Sequence, residues 1–120
     1  MLYSMALQML RTTIYIVSLM AISCTSPRTV EFLGFAGCPN TPILRERLQH
    51  AAPNYDIVEV DLMQLEQGDK RLGWGAPTIL LDGRDLFEES SSGGNVSCRA
   101  WAEGLPSVGA IRVALQDQSK

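Results

Sequence analysis

The 120-residue chain has few of the side chains that bind metal ions or nucleic acids. It contains three cysteines and one histidine, and no two cysteines form the CxxC pair typical of structural zinc sites. Lysine and arginine total 10 against 13 aspartates and glutamates, for a net charge of −3. Such a chain offers no basic surface to nucleic acid. We therefore expect neither a metal site nor a nucleic-acid partner.

The N-terminus is almost uncharged, with Arg11 as the only charge within residues 2–24. The apolar run 14–22 is shorter than the about 20 residues of a spanning helix and fits the about 7–15 residues of a signal-peptide core. It ends in Ala21-Ile22-Ser23-Cys24, which resembles the lipobox of bacterial lipoproteins and makes Cys24 a lipidation candidate. An uncleaved membrane anchor and upstream sequence from a wrong start codon are the alternatives. If residues 1–24 are truly part of the protein, they indicate the bacterial cell envelope; if they are not, we expect the cytoplasm.

The remaining chain has the size and composition of one globular domain. We divide the sequence into a hydrophobic N-terminal segment, residues 1–27, and a domain of residues 28–120. With 46% hydrophobic residues overall, a domain of this length can bury a core without disulfide or metal cross-links. We expect a monomer.

Residue patterns predict alternating strands and helices in this domain. The strands are 29–35, 55–61, 78–81 and 84–87, and the helices are 43–52, a short one after Asp61, and a last one capped by Ser107. Two strands joined through a helix should be parallel, whereas Asp82-Gly83 predicts an antiparallel hairpin. The order β-α-β-α-β-β-α therefore predicts an α/β domain, a mixed four-stranded sheet with helices on both faces.

Two motifs lie at defined places in this order. Cys38-Pro39 follows the first strand, and Ala76-Pro77 precedes the third. Over residues 29–118 the arrangement resembles the thioredoxin/glutaredoxin superfamily. The resemblance implies a thioredoxin-like fold, a Cys38 that attacks disulfides, and a cis-proline at Pro77 that faces it. Thr41 stands where the family has its second cysteine, so the motif is CxxT and argues against an ordinary dithiol activity.

A narrower resemblance is to the small thioredoxin-like DF family, some of whose members are selenoproteins. It is carried by Cys38-Pro39-Asn40, Gly75-Ala76-Pro77-Thr78 and Ser97-Cys98-Arg99. These proteins are distantly similar to alkylmercury lyases. The resemblance implies a redox or thiol-exchange role without a defined substrate.

The chemistry expected of Cys38 is that of a thiolate. The N-terminus of a helix can lower a cysteine pKa from about 8.5 to roughly 3.5–7.5. Thr41 could donate its hydroxyl to this sulfur or simply cap the helix, and Pro39 would hold the turn in shape. The alternative for Cys38 is a buried, inert thiol.

Substrate contacts are expected from the loop before the third strand. A proline at position 77 leaves the Ala76 backbone able to pair with an extended substrate chain. Trp74 is either an apolar wall beside the sulfur or part of the core. Gly93-Gly94 resembles the glycine pair with which glutaredoxins hold glutathione. We expect no bound cofactor, with glutathione as a candidate co-substrate.

Cys98 leaves two alternatives open. It either reaches Cys38 and resolves its mixed disulfide, or it packs under the last helix and never meets Cys38. Three functions follow from these residues. The first is a thiol oxidoreductase acting on a disulfide-bearing protein or a small thiol. The second is a protein that captures a soft metal or organomercury, and the third is a non-catalytic interaction domain.

Overall fold

The computed structural model describes residues 28–118, so the predictions made for Cys24 and the N-terminal segment lie outside it. The strands are β1 (Arg28–Gly34), β2 (Tyr55–Asp61), β3 (Thr78–Leu81) and β4 (Arg84–Asp85), and the α-helices are α1 (Thr41–Ala51) and α2 (Val108–Gln118). Two 3-10 helices, Leu62–Gln64 and Lys70–Trp74, lie between β2 and β3. No helix among these residues is both long and apolar enough to traverse a bilayer.

The four strands form one mixed sheet in the order β2-β1-β3-β4. β1 is parallel to β2, whereas β3 is antiparallel to both β1 and β4. This confirms the α/β class and the parallel and antiparallel pairs predicted from the sequence. β4 ends at Asp85 instead of 87 because the Asp85 carboxylate and carbonyl accept hydrogen bonds from the Glu89 and Glu88 backbones, which turns the chain.

Both α-helices pack on one face of the sheet. Leu44 and Leu48 of α1 share a buried cluster with Ile111 of α2 and with the side chains of Phe32 and Ile79. Helices were expected on both faces, and the second face carries 3-10 helices where the sequence predicted an α-helix. The α2 N-terminus is as predicted, since Ser107 Oγ accepts the Ala110 N–H at 3.1 Å.

The opposite face is covered by the two 3-10 helices. Leu62 and Leu72 pack there against Leu33 and Leu80, which alternate with the residues that face the α-helices. The sequence predicted one α-helix in this region. The first 3-10 helix ends before Leu65, which is extended at φ −78° and ψ 146°. Gly68, at φ +98°, lies between the two 3-10 helices in a conformation that cannot continue a right-handed helix. The Asp61 cap is present, with its carboxylate accepting from the Met63 N–H.

Candidate functional site

Cys38 lies in the connection between β1 and α1, on the face of the sheet that carries the 3-10 helices. The Cys38 N–H bonds to the Phe35 carbonyl, and its carbonyl accepts the Thr41 N–H, so a tight turn leads directly into α1. The residue is only 1% exposed. It belongs to an apolar cluster with Leu33, Leu62, Leu72, Ala76 and Leu80. The sulfur is thus buried, as in the alternative considered from the sequence, but it is not isolated from polar groups.

The loop before β3 faces this sulfur. The Ala76–Pro77 peptide bond is cis, which confirms that expectation for Pro77. The Cys38 thiol donates to the Ala76 carbonyl oxygen over 3.4 Å. Pro77 itself is fully buried, whereas Pro39, on the other side of the thiol, is exposed.

The Ala76 backbone is already paired within the chain. Its N–H donates to the Ser97 carbonyl at 2.9 Å, and its carbonyl accepts the Arg99 N–H at 2.7 Å. This parallel bridge between Ala76 and Cys98 occupies the Ala76 N–H and carbonyl, the two groups that we expected to pair with a substrate chain. A substrate could pair there only after the 97–99 segment had left.

The bridge brings Cys98 to Cys38. Residue 98 is paired with Ala76, the residue whose carbonyl accepts from the Cys38 thiol, and the two cysteines shift each other's pKa. Cys98 is exposed while Cys38 is buried, and neither is in a disulfide. Of the two positions considered for Cys98, the structure shows the one beside Cys38 and not the one under the last helix.

The two thiols differ in acidity. Burial raises the pKa of Cys38, but the nearby Cys98 thiol, the Asn40 and Thr41 backbones and the Thr41 hydroxyl favour its anion and lower the pKa below the usual value. The pKa of Cys98 is raised, first because its thiol donates to Cys38, and then by desolvation and by the negative charge on Cys38. The first proton to leave the pair is therefore that of Cys38.

Thr41 supplies an unused donor at this site. The residue is 3% exposed, and its Oγ1 has no conventional nitrogen or oxygen partner. A buried hydroxyl without a partner costs about 1–3 kcal/mol, so a nearby anion would be favourable to it. The Cys38 thiolate is that anion, since the Thr41 hydroxyl contributes to its low pKa. Gly34 makes room for Thr41: a Cβ at this position would lie 2.6 Å from the Thr41 Cγ2.

Arg99 fixes the segment that carries Cys98. Its guanidinium makes two hydrogen bonds to the Asp85 carboxylate, at 2.9 and 3.0 Å, and one to Thr78 Oγ1 at 3.2 Å. The side chains of Arg99 and Asp85 are 8% and 0% exposed. The guanidinium also lies 3.8 Å from the ring centre of Trp101. Sequence reasoning missed this ion pair. The available signals were an aspartate, Asp85, inside the β3–β4 hairpin and an arginine, Arg99, next to Cys98.

Trp74 lies at the edge of the site and partly serves the core. It packs against the cluster that contains Cys38, and its Nε1 donates to the Glu89 carbonyl. Trp74 also lines a cavity of about 760 Å³, which neither Cys38 nor Cys98 reaches. The Gly93-Gly94 pair is exposed, with both residues at positive φ.

Within residues 28–118, no group of three or more histidine, cysteine, aspartate or glutamate side chains is arranged to hold a metal ion. The two thiols are the groups that could bind a soft cation. Comparison of the chain with known protein families, curated proteins and solved structures gives no match.

Proposed function

We propose that the chain is a thiol–disulfide oxidoreductase with a thioredoxin-like fold, in which Cys38 and Cys98 alternate between dithiol and disulfide. The observation that carries this proposal is that both cysteines meet at Ala76: the Cys38 thiol donates to the Ala76 carbonyl, and the Ala76 backbone is bridged to residue 98. Thiolates are the reactive form in disulfide exchange. Two cysteines that both adjoin Ala76 are candidates for an S–S bond of about 2.05 Å.

The fold supports the proposal. The sheet order β2-β1-β3-β4, the cysteine between β1 and α1, and the cis-proline before β3 agree with the resemblance of the sequence motifs to the thioredoxin/glutaredoxin superfamily. The missing second cysteine of that motif is compensated by Cys98, which reaches the same sulfur from a distant segment. The expected partners are a disulfide-bearing protein or a small thiol such as glutathione.

Oxidation of the full-length protein tests this function. The reduced chain, carrying Cys24→Ser to remove the third thiol, is treated with glutathione disulfide and digested. We expect a Cys38–Cys98 crosslink, loss of two hydrogens in the intact mass, and full reversal by excess reduced glutathione with release of glutathione disulfide. The variants Cys38→Ser and Cys98→Ser should both lose turnover. Absence of the crosslink would leave the non-catalytic interaction domain as the better description.

Soft-metal capture is a second candidate, favoured by the same pair of thiols. Two thiolates, with no cluster of three or more potential ligands among residues 28–118, suit a two-coordinate soft cation. If this is the function, Hg²⁺ binds one per chain, binding is lost in Cys38→Ser and in Cys98→Ser, and no disulfide turnover accompanies it. Turnover with glutathione disulfide would favour the oxidoreductase.

A further inference from the structure

Access to solvent divides the two thiols sharply. Cys38 is 1% exposed, in the apolar cluster that contains Ala76, whereas Cys98, in the segment paired with Ala76, is exposed. Exchange requires the sulfur of one partner to approach the sulfur of the other directly, so access decides which thiol reacts. In the described structure, a molecule from solvent meets Cys98 first.

The 97–99 segment, which carries Cys98, is firmly held. Its backbone makes two hydrogen bonds to Ala76, and Arg99 makes a buried two-point ion pair with Asp85. Gly75 packs closely against it, because a Cβ there would lie 3.0 Å from the Ser97 carbonyl oxygen and 3.2 Å from the Arg99 nitrogen. Moving the 97–99 segment away from Ala76 would break all of these contacts, whereas reaching the exposed Cys98 breaks none.

We infer that substrate becomes covalently attached at Cys98, and that Cys38 is the internal partner that forms and breaks the intramolecular disulfide. This inference rests on the proposed function. It reverses the roles that the family resemblance implies, in which Cys38 attacks and Cys98 resolves.

The exchange can be written with its electrons balanced. A substrate thiolate attacks the Cys98 sulfur of the oxidised pair, a substrate–Cys98 bond forms, and the Cys98–Cys38 bond breaks with its electron pair on Cys38. A second substrate thiolate then attacks the substrate sulfur of the mixed disulfide and releases Cys98, which takes up a proton. Two thiols have become one disulfide, and the chain has gained two electrons. Reduction of a disulfide follows the same steps in reverse, also through Cys98.

The surroundings of Cys38 suit a leaving group. The Asn40 and Thr41 backbone N–H groups and the Thr41 hydroxyl stabilise its anion and help keep its pKa low despite burial. Exchange is faster when the departing thiol has a low pKa. The Cys38 thiolate is thus well placed to leave when Cys98 is attacked, without itself being open to solvent.

Two single-thiol proteins test the inference. In a Cys24→Ser background, Cys38→Ser retains only Cys98 and Cys98→Ser retains only Cys38. Glutathione disulfide is the probe, and mass spectrometry follows the gain of one glutathionyl group. We expect the Cys98 protein to react at least about tenfold faster, because Cys38 must await local opening. Equal rates, or faster reaction of the Cys38 protein, would overturn the inference. In guanidinium the two rates should converge, which controls for intrinsic reactivity.

A second measurement covers the case in which Cys38→Ser fails to fold. The Cys24→Ser protein with both thiols is oxidised, exposed briefly to reduced glutathione, acid-quenched and mapped. Glutathione found on Cys98 supports the inference, and glutathione found on Cys38 refutes it. Failure of the proposed function is distinguishable, since no Cys38–Cys98 crosslink would then form in the oxidised protein.

Discussion

Removal of the Arg99 guanidinium would test whether its ion pair holds Cys98 against Cys38. Arg99→Ala leaves the Asp85 carboxylate fully buried, with the Glu89 N–H as a remaining donor. The same change removes one hydrogen bond to Thr78 and the stacking on Trp101. Because the 97–99 segment also bonds to Ala76, loosening it should separate the two thiols.

The expected loss of stability is large for a single side chain. Removing one partner of a buried ion pair costs about 3–5 kcal/mol, mostly because the other charge stays buried. Domains of this size unfold with about 5–15 kcal/mol, so the variant should retain a folded population in the absence of denaturant. Arg99→Lys keeps the charge but loses the two-point geometry, and we expect an intermediate loss.

Urea unfolding measures these changes, with the exposed Arg45–Glu59 pair as a matched control. That pair also has two hydrogen bonds, at 2.7 and 3.2 Å, but its side chains are 36% and 50% exposed. We expect Arg45→Ala to cost only about 0.2–1 kcal/mol. In parallel, iodoacetamide should alkylate Cys38 faster in Arg99→Ala than in the parent under native conditions.

Two results would refute the reasoning. Equal losses for Arg99→Ala and Arg45→Ala would show that burial gives the Arg99 pair no special weight. Unchanged alkylation of Cys38 in a destabilised Arg99→Ala protein would show that the pair stabilises the fold without holding the segment over the thiol.

Substitutions at three positions and a pH series test the site and the fold. Thr41→Val removes the unpartnered hydroxyl, so we expect a higher Cys38 pKa in a thiolate absorbance titration. At a pH where Cys38 is protonated, the free energy of unfolding should be unchanged or up to about 1 kcal/mol higher. A lower Cys38 pKa would contradict the role of this hydroxyl as a donor to the thiolate. Cys98→Ala removes a thiol donor and should also raise the Cys38 pKa, whereas Cys98→Ser retains a donor and should change it less. Because the folded pKa of Cys38 is depressed, its stabilising contribution is full above the unfolded value of about 8.5 and is lost as the pH falls through the folded pKa. The raised pKa of Cys98 acts oppositely, because its stabilising contribution is full below the unfolded value of about 8.5 and is lost as the pH rises further. In urea unfolding of the reduced protein across pH, the free energy of unfolding should therefore be highest near about pH 8.5, to about half a unit. A profile without pH dependence would contradict both shifts. Ser107→Ala removes the cap of α2 and should cost about 1 kcal/mol in thermal unfolding, and an unchanged midpoint would exclude this cap as a stabilising contact.

The sequence predicts the local parts of this fold well where one pattern dominates. The alternation of Tyr55–Asp61 and the apolar run Thr78–Leu81 correspond to strands with the same bounds. The first helix begins two residues earlier than expected, because Pro42 sits within its first turn, where a missing N–H has no cost. The leucines after Asp61 suggested a helical stripe, but the chain is already extended at Leu65 and left-handed at Gly68, so no continuous helix forms.

The candidate site is only partly predictable because its decisive contacts are long-range. The Cys38 turn and the cis bond at Pro77 follow from short motifs. The pairing of Ala76 with the segment around Cys98 has no periodic signal, since an irregular loop precedes that segment. Arg99 and Asp85 look like ordinary surface charges until the fold buries them together.

This long-range pairing also separates two properties that one sulfur cannot easily combine. A sulfur that exchanges with a substrate must be accessible to solvent. A thiolate stabilised by several hydrogen-bond donors becomes less accessible, because those donors surround it. Here the groups that stabilise the anion surround the buried Cys38, while the hydrogen bonds of the neighbouring Ala76 hold the segment in which Cys98 is exposed. A chain in which Cys98 is replaced by alanine should therefore retain a stabilised thiolate that glutathione disulfide reaches only through local opening of the 97–99 segment.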